Sequence, residues 1–458
     1  MGTHSSSDGA ISGTSLAGVE TAWSDLRTLV GGGYLHAATV GDAVDGVVPQ
    51  MVIEPGNPEE VAGALKIATA AGLSVIPRGG ATKLDWGNPP KSSETRSNET
   101  RSNETRSGEL ILSTRRMNRL VEHAWGDMTA SVEAGCTFQQ LQQALAEHGQ
   151  RLALDPLWPD RATIGGILAT NDSGPLRIRF GSLRDLVIGM TLALPDGTLA
   201  KSGGKVVKNV AGYDLPKLAT GSLGTLGIIT QAIFRLHPIP RESRTLSFAN
   251  PESASGSDTM HALVLAIQDC NMVPTGLQVR AGNSSAPAVD LRFEGTAAGC
   301  EAQIEQTLRM AAGARRIDSS GDVWNARSDL WSGTEPSIVC KFSLLPAELG
   351  SFLDSLRKAF EPAHLPWRVV AQAVGVGYLR IEGIEGNDAG ALLNTLEDLR
   401  KKLETRGGSL VLLRCPLEIK SKTDVWGSAG DALTLMKDIK AQFDPTGVLN
   451  PGRFIGGI

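Results

Sequence analysis

The sequence predicts an α+β protein of two domains. Three observations carry that prediction. At 458 residues the chain is too long for one small hydrophobic core. Its first half opens on a β-α-β unit and continues in short β-rich runs. Its second half spaces strands and helices evenly, which fits an antiparallel sheet with helices on one side, ferredoxin-like in order.

Taken along the chain, residues 1–45 read as a loosely organised arm with a short helix near Ala22–Val30. Order begins at the apolar run Met51-Val-Ile-Glu54. Asn57-Pro-Glu-Glu60 then starts a helix, with an Asn cap, Pro at the first helical position and Glu three after the cap. Val61, Leu65 and Ala68 give it a buried stripe, Gly72 stops it, and Leu73-Ser-Val-Ile76 follows as a strand. Between Ser93 and Arg106 an imperfect Ser-Asn-Glu-Thr-Arg repeat has no apolar anchor and reads as a surface loop. Strands resume at 110–113, 120–124 and 129–133. Thr137-Phe-Gln-Gln140 is a capping-box start for a helix ending at Gly149. Residues 187–201 make a hairpin around Pro195-Asp-Gly197. After the β-rich run Thr225–Leu236, His237-Pro-Ile-Pro240 closes the region. Beyond it, strands are expected at 277–280, 289–294, 338–343, 369–374, 378–382 and 409–413. Helices are expected at 258–270, 298–312, 346–360, 388–405 and 429–443.

Composition excludes several functions. A formal net charge of −5 supplies no basic field for nucleic acid or anionic lipid. The cysteines (Cys136, Cys270, Cys300, Cys340, Cys415) are far apart, which argues against an iron–sulfur cluster, a zinc knuckle or a disulfide framework and suits a reduced cytosolic setting. No apolar run reaches the ~20 residues of a membrane span. Glycine is the outlier: 53 in the chain, well above the roughly 7 % usual.

Eight of those glycines fall in three segments able to hold parts of a phosphate-rich ligand. Arg78-Gly79-Gly80-Ala81-Thr82 follows a strand, so consecutive backbone N–H groups can converge on a diphosphate beside the Thr hydroxyl. An ordinary strand-end turn is the equal alternative there. The second segment is Asp155-Pro156, Thr163-Ile-Gly165-Gly166 and Asn171-Asp-Ser173-Gly174, where small residues pack closely and Thr, Asn and Ser supply hydrogen bonds. The third, Gly221-Ser-Leu-Gly224-Thr225-Leu-Gly227-Ile228, is a glycine-rich turn entering a strand. None is G-x-G-x-x-G or a P-loop.

The ordered set Pro77-Arg-Gly-Gly80, Thr163-Ile-Gly-Gly166, Phe180-Gly-Ser-Leu-Arg-Asp185, Lys208-Asn-Val-Ala-Gly-Tyr-Asp214, Gly224-Thr-Leu-Gly-Ile-Ile-Thr230 and Leu449-Asn-Pro-Gly-Arg453 resembles the FAD-binding fold of the vanillyl-alcohol oxidase and p-cresol methylhydroxylase type. Within it the chain resembles the smaller FAD-binding subunit of bacterial glycolate oxidase. The likeness covers 48–240 closely, the following region loosely and the last fifteen residues again. It implies an arm (1–47), a two-part FAD domain (48–240, with the 93–107 loop), a ferredoxin-like cap (241–428) and a C-terminal segment (429–458) returning to the FAD domain. It also implies that Arg78 to Thr82 meet the diphosphate. Thr163, Gly165, Gly166, Asn171, Ser173 and Gly174 would run along the flavin, Gly224, Thr225, Gly227 and Ile228 would meet it by backbone, and Asp155 and Pro156 complete the expected cofactor-binding set. Members that attach FAD covalently in the first turn carry His directly after Arg-Gly-Gly. Ala81 stands there, so non-covalent FAD is implied.

The implied activity is that of a subunit of a multi-subunit glycolate (2-hydroxy acid) dehydrogenase or oxidase. A second FAD subunit and an iron–sulfur subunit would be its partners, in the cytoplasm and peripheral to a membrane only through them. Two other readings stay open: a free-standing FAD oxidoreductase of hydroxy acids or sugars, and a flavin relay or structural subunit. Relatives that oxidise D-2-hydroxy acids alone carry a metal-binding His-x-Gly-Asp-Gly-Asn motif. Here His261 and His364 are isolated, no metal site is expected and no catalytic residue is assigned. In the cap, Arg280, Arg292, Lys341, Tyr378 and Arg380 fall on one strand face, readable as a carboxylate clamp, a solvated face or a subunit contact.

Overall fold

The computed structural model describes residues 16–90, 108–204, 214–249, 256–283, 285–311, 315–317, 321–384 and 389–458. The Ser93–Arg106 repeat and most of Lys208–Asp214 lie outside them.

The first half builds two sheets. In one, strands run in the order Leu35–Ala37, Met51–Ile53, Glu109–Ser113, Ser74–Arg78, the last three mutually parallel. The helix Pro58–Ala70 connects two of them, and Asn57 caps it by accepting the Glu60 N–H at 2.8 Å. The C-terminal segment joins this sheet's core: Val448 and Leu449 are buried in it, and the Asn450 N–H donates to the Val75 carbonyl. The other sheet is antiparallel, in the order Leu120–Ala124, Thr129–Glu133, Ile228–Arg235, Val187–Ala193, Leu199–Gly203. The helices Phe138–Ala146 and Ile164–Thr170 pack on it through Leu141, Leu145, Ile167 and Leu168. Mixed parallel and antiparallel sheets arise because the first connection is a helical crossover, whereas a tight turn at Pro195–Gly197 forces an antiparallel return.

The second half is one eight-stranded antiparallel sheet with an internal logic the sequence did not disclose. Strands Glu242–Ala249, Gly276–Gly282, Ser285–Gly295 and Arg315–Ile317, with helices Gly256–Asp269 and Ala297–Met310, follow β-α-β-β-α-β order. Strands Ser337–Ser343, Trp367–Gln372, Val376–Glu382 and Ser409–Arg414, with helices Leu349–Phe360 and Ala389–Glu404, repeat it. Each set pairs as a ferredoxin-like unit. The two join edge to edge through Gly276–Gly282 and Trp367–Gln372, where Gln278 opposes Gln372. One sheet face buries Leu291, Phe293, Phe342, Leu379 and Ile381 under the helices. The other face, carrying Val339, Val370 and Tyr378, packs with Leu157 and Trp86 of the first half. A solvated face is thereby corrected: Tyr378 and Arg380 are 1 % and 2 % exposed.

Two further expectations change. Residues 16–30 form a full helix, not a loose arm. Val19, Ala22, Leu26 and Val30 recur every three or four residues and seal the first core against Pro58–Ala70. The strand Glu242–Ala249 was unforeseen, because its polar start Glu242-Ser-Arg244 hides the apolar Leu246 and Phe248 that pack inward.

Candidate functional site

Three turns from different elements meet at one cleft open to solvent. Arg78, Gly79, Gly80, Ala81 and Thr82 line it after the strand Ser74–Arg78, Thr163, Gly165 and Gly166 at the start of the next helix, and Gly224, Gly227 and Ile228 before the strand Ile228–Arg235.

The glycines do two different jobs. A Cβ on Gly79 would stand 2.1 Å from Thr163 Oγ1, one on Gly80 1.8 Å from the Arg161 carbonyl oxygen, and one on Gly224 2.6 Å from Pro77 Cγ. These three allow turn to pack on turn. Gly166 differs. The nearest atom to a Cβ there is its own cap, Thr163 Oγ1, at 3.4 Å. Its open side is cleft.

The remaining positions singled out in the sequence do not line the cleft. Asp155 accepts the N–H groups of Gly174 (2.8 Å) and Leu176 (3.1 Å). Pro156 is buried. Asn171 ends the helix Ile164–Thr170 at φ +48°, and Thr225 donates its hydroxyl to the Ser222 carbonyl at 2.7 Å. The Ser173 carbonyl accepts from Arg327 (2.9 Å) and Gln372 (3.2 Å). A Cβ on Gly174 would meet the Asp155 carboxyl at 2.6 Å. All six brace the wall from outside it.

Sequence reasoning missed Lys83, Trp86, Asn450 and Arg453, which line the cleft. The signal was present: Lys83-Leu-Asp-Trp86 continues the first turn, and Asn450 and Arg453 belong to the terminal Leu449–Arg453 motif. Arg453 is 2 % exposed. It donates to the carbonyls of Leu84, Trp86 (2.8 Å) and Asn88 (3.2 Å), fixing the loop that presents Lys83 and Trp86. Asn450 donates to the Leu223 carbonyl at 2.7 Å. Three cleft residues other than glycine hold left-handed backbone: Ala81 (φ +59°), Leu223 (φ +51°) and Asn450 (φ +45°). For Ala and Leu this costs about 1–2 kcal/mol each, and such strain concentrates at functional sites.

Charge is buried beside the cleft. Asp172, fully buried, lies 3.0 Å from Lys83 Nζ and 2.9 Å from Arg327 Nη1, and accepts the Leu157 N–H at 2.8 Å. Burial pushes its carboxyl up, but the two cations and that N–H outweigh burial and hold it at about 2. Arg327 comes from the second half and also donates to the carbonyls of Asp155 and Ser173. Of the suggested clamp residues, Arg280 is paired with Asp290 (2.6 Å), and Arg380 with Glu382 (2.6 Å) and the Leu330 carbonyl (2.7 Å). Tyr378 lies under Arg327, and Lys341 is partly exposed. Arg292 is different. Its side chain is 17 % exposed, lies 4.6 Å over the Trp324 ring, and reaches Glu294 and Asp155 only at 3.8 and 4.0 Å, leaving Nε and Nη2 without a hydrogen bond among the described residues.

Comparison with known proteins gives these features a family context. Residues 49–203 match the model of an FAD binding domain, and 427–454 the C-terminal domain of FAD linked oxidases. The mitochondrial cytochrome-type D-lactate dehydrogenase of Arabidopsis thaliana is 26 % identical over 444 residues, covering 89 % of this chain and 74 % of that protein. The glycolate oxidase subunit GlcD of Bacillus subtilis is 32 % identical over 219 residues, 48 % of this chain and 43 % of that one. The fold matches substrate-bound p-cresol methylhydroxylase at a TM-score of 0.71 and 16 % identity, covering 96 % of this chain and 97 % of that chain. The cleft fits a dinucleotide on its own terms: one glycine side left open, bare turns around it and a buried cation beside it. The chain carries an FAD-binding domain over residues 49–203, has the fold of p-cresol methylhydroxylase and is an FAD-linked oxidoreductase.

Proposed function

We propose that the chain is the FAD-carrying subunit of a 2-hydroxy acid dehydrogenase or oxidase of the glycolate kind. The observation that carries this reading is the glycine-walled cleft with a buried cation, Lys83, in its wall. Arg78 to Thr82, Thr163, Gly165, Gly166, Gly224, Gly227 and Ile228 hold FAD, while Asp155, Pro156, Asn171, Ser173, Gly174 and Thr225 keep those turns in place. Ala81 has no nucleophilic atom, so the cofactor is held without a covalent bond. Bound there, FAD supplies a two-electron acceptor for oxidation of an alcohol carbon. Arg292 is held only by long ion pairs, to Glu294 at 3.8 Å and Asp155 at 4.0 Å, so its Nε and Nη2 keep hydrogen-bonding capacity for a planar carboxylate, the group a guanidinium pairs with best. The named relatives act on lactate and glycolate, both 2-hydroxy acids, which supports the same substrate class here. Electrons then leave to partner subunits, a second flavoprotein and an iron–sulfur protein.

A relay role, in which the chain accepts electrons from a partner and not from substrate, has its own support. Trp86, Leu157, Leu330, Trp331 and Tyr378, each 7 % exposed or less, fill the space between the cleft and the cap sheet. Trp86 and Trp331 stack at 5.7 Å, and Trp158 meets Trp331 edge-on at 5.4 Å. One experiment separates the readings. Glycolate and D-lactate are mixed anaerobically with the purified yellow protein. Bleaching of the flavin is the expected result for a substrate-oxidising subunit. A flavin reduced by dithionite but by neither acid favours the relay.

The mode of attachment is tested separately. Acid precipitation is expected to leave all flavin in the supernatant. Yellow colour retained by the washed pellet contradicts the non-covalent assignment.

A further inference from the structure

Lys83 is an unusual lysine. It follows the first glycine turn directly and lines the cleft, yet its side chain is only 4 % exposed. Nζ lies 3.0 Å from Asp172 Oδ2, and 5.8 and 5.6 Å from the ring centres of Trp86 and Trp158. Asp172 is already shared. Its Oδ1 takes Arg327, and its Oδ2 also accepts the Leu157 N–H. Two cations thus share one directly contacting carboxylate, with Asp155 and Asp85 acting on them from farther off, at a buried place where an uncompensated charge is costly.

The two cations are not equivalent. Arg327 directs its donors to Asp172, two backbone carbonyls and the Tyr378 hydroxyl. Lys83 Nζ has three N–H groups and, among the described residues, contacts Asp172 alone as an acceptor, at 3.0 Å. Spare donor capacity is therefore on Lys83, at the cleft wall. Indole faces tolerate a nearby cation but do not neutralise it.

The surroundings say what kind of group completes it. A diphosphate is a strongly hydrated dianion and needs several N–H donors or cations around it. Lys83 is instead walled by Trp86 and Trp158, backed by the Trp86–Trp331 stack. That apolar aromatic wall suits a planar, neutral heteroaromatic ring, which acquires negative charge only when reduced. Arg78, at the far end of the same turn, pairs with Asp42 at 2.5 Å.

Resting on FAD occupying the cleft, we propose that Lys83 meets the flavin ring and not the diphosphate, and raises the reduction potential by stabilising the negative charge the ring takes on. Lys83 is a cofactor-tuning residue in this role, and no family model or named relative assigns it.

The test uses the full-length, FAD-loaded chain and two variants, Lys83→Met and Lys83→Arg. Lys83→Met keeps its fold because Asp172 retains Arg327 and the Leu157 N–H. The potential is measured at equilibrium against a reference dye, and oxidised-FAD affinity by titration of the stripped protein. Lys83→Met should lose at least tenfold in affinity for reduced relative to oxidised FAD. For a two-electron couple that lowers the potential by about 30 mV. Lys83→Arg should keep most of it. A potential unchanged in folded Lys83→Met, or an equal loss of affinity in both redox states, places the lysine at the diphosphate and overturns the proposal. Sulfite gives a readout that needs no variant, since its addition to the flavin ring leaves a negative charge there. The wild-type protein should form that adduct, and its failure to do so also overturns the proposal. A wild-type chain that binds no FAD at all refutes the cleft assignment instead, and this inference with it.

Discussion

Gly166→Val is expected to abolish FAD binding in a protein that still folds. The reason is directional. A side chain at Gly166 meets nothing nearer than its own cap at 3.4 Å and projects into the cleft. The backbone there is helical, so leaving glycine costs no strain and gains up to about 1 kcal/mol in helix propensity for a residue such as Ala. Flavin occupancy, read as the flavin-to-protein absorbance ratio, should fall at least tenfold, with melting temperature and circular dichroism near those of the wild-type apoprotein. Gly80→Val should behave differently, because its Cβ would lie 1.8 Å from the Arg161 carbonyl oxygen. That clash damages the packing of two turns and should lower soluble yield before any question of cofactor arises. Near-stoichiometric FAD in folded Gly166→Val would remove FAD from this cleft.

The contrast between those glycines marks how far the sequence could be read. Local rules worked where chemistry is local. The Asn57 and Thr137 caps and the Pro195–Gly197 hairpin appear as their side chains dictate. The three glycine turns were also visible, as density of small residues. Which face of each glycine is open was not, because the neighbour of Gly80 is Arg161 and that of Gly224 is Pro77, far away in sequence. The same holds for charge. Asp172 stood inside a segment singled out for Thr, Asn and Ser, and its partners Lys83 and Arg327 lie 89 residues before it and 155 after it by their numbering. Ion pairs of that separation carry no periodicity or spacing. The doubled β-α-β-β-α-β order was legible only in part, since its first strand, Glu242–Ala249, opens on polar residues.

Replacing Asp172 by Asn should be the most damaging polar substitution in the chain. It removes the one carboxylate between Lys83 and Arg327, both of which remain buried. Breaking such a cluster by deleting one partner typically costs about 3–5 kcal/mol, a large share of the ~5–15 kcal/mol that holds a domain folded. The loss falls on the contact between the two halves, because Arg327 reaches across to Asp172 from the second. The pH dependence follows from the carboxyl's position. Its ordinary value is 3.8 and it is held at about 2 in the fold. A lowered carboxyl stabilises the folded state fully above the unfolded value, so the contribution, roughly 2 kcal/mol, is intact at neutral pH. It declines below about pH 4 and is gone once pH has passed below 2. Asp172→Asn should therefore unfold at lower denaturant than wild type at pH 7, and the gap should narrow in acid. Adding Lys83→Met to Asp172→Asn removes one stranded cation and should recover at least about 1 kcal/mol. A neutral-pH loss below about 1 kcal/mol for Asp172→Asn, or no recovery in the double variant, would mean that the triad does not hold the two halves together.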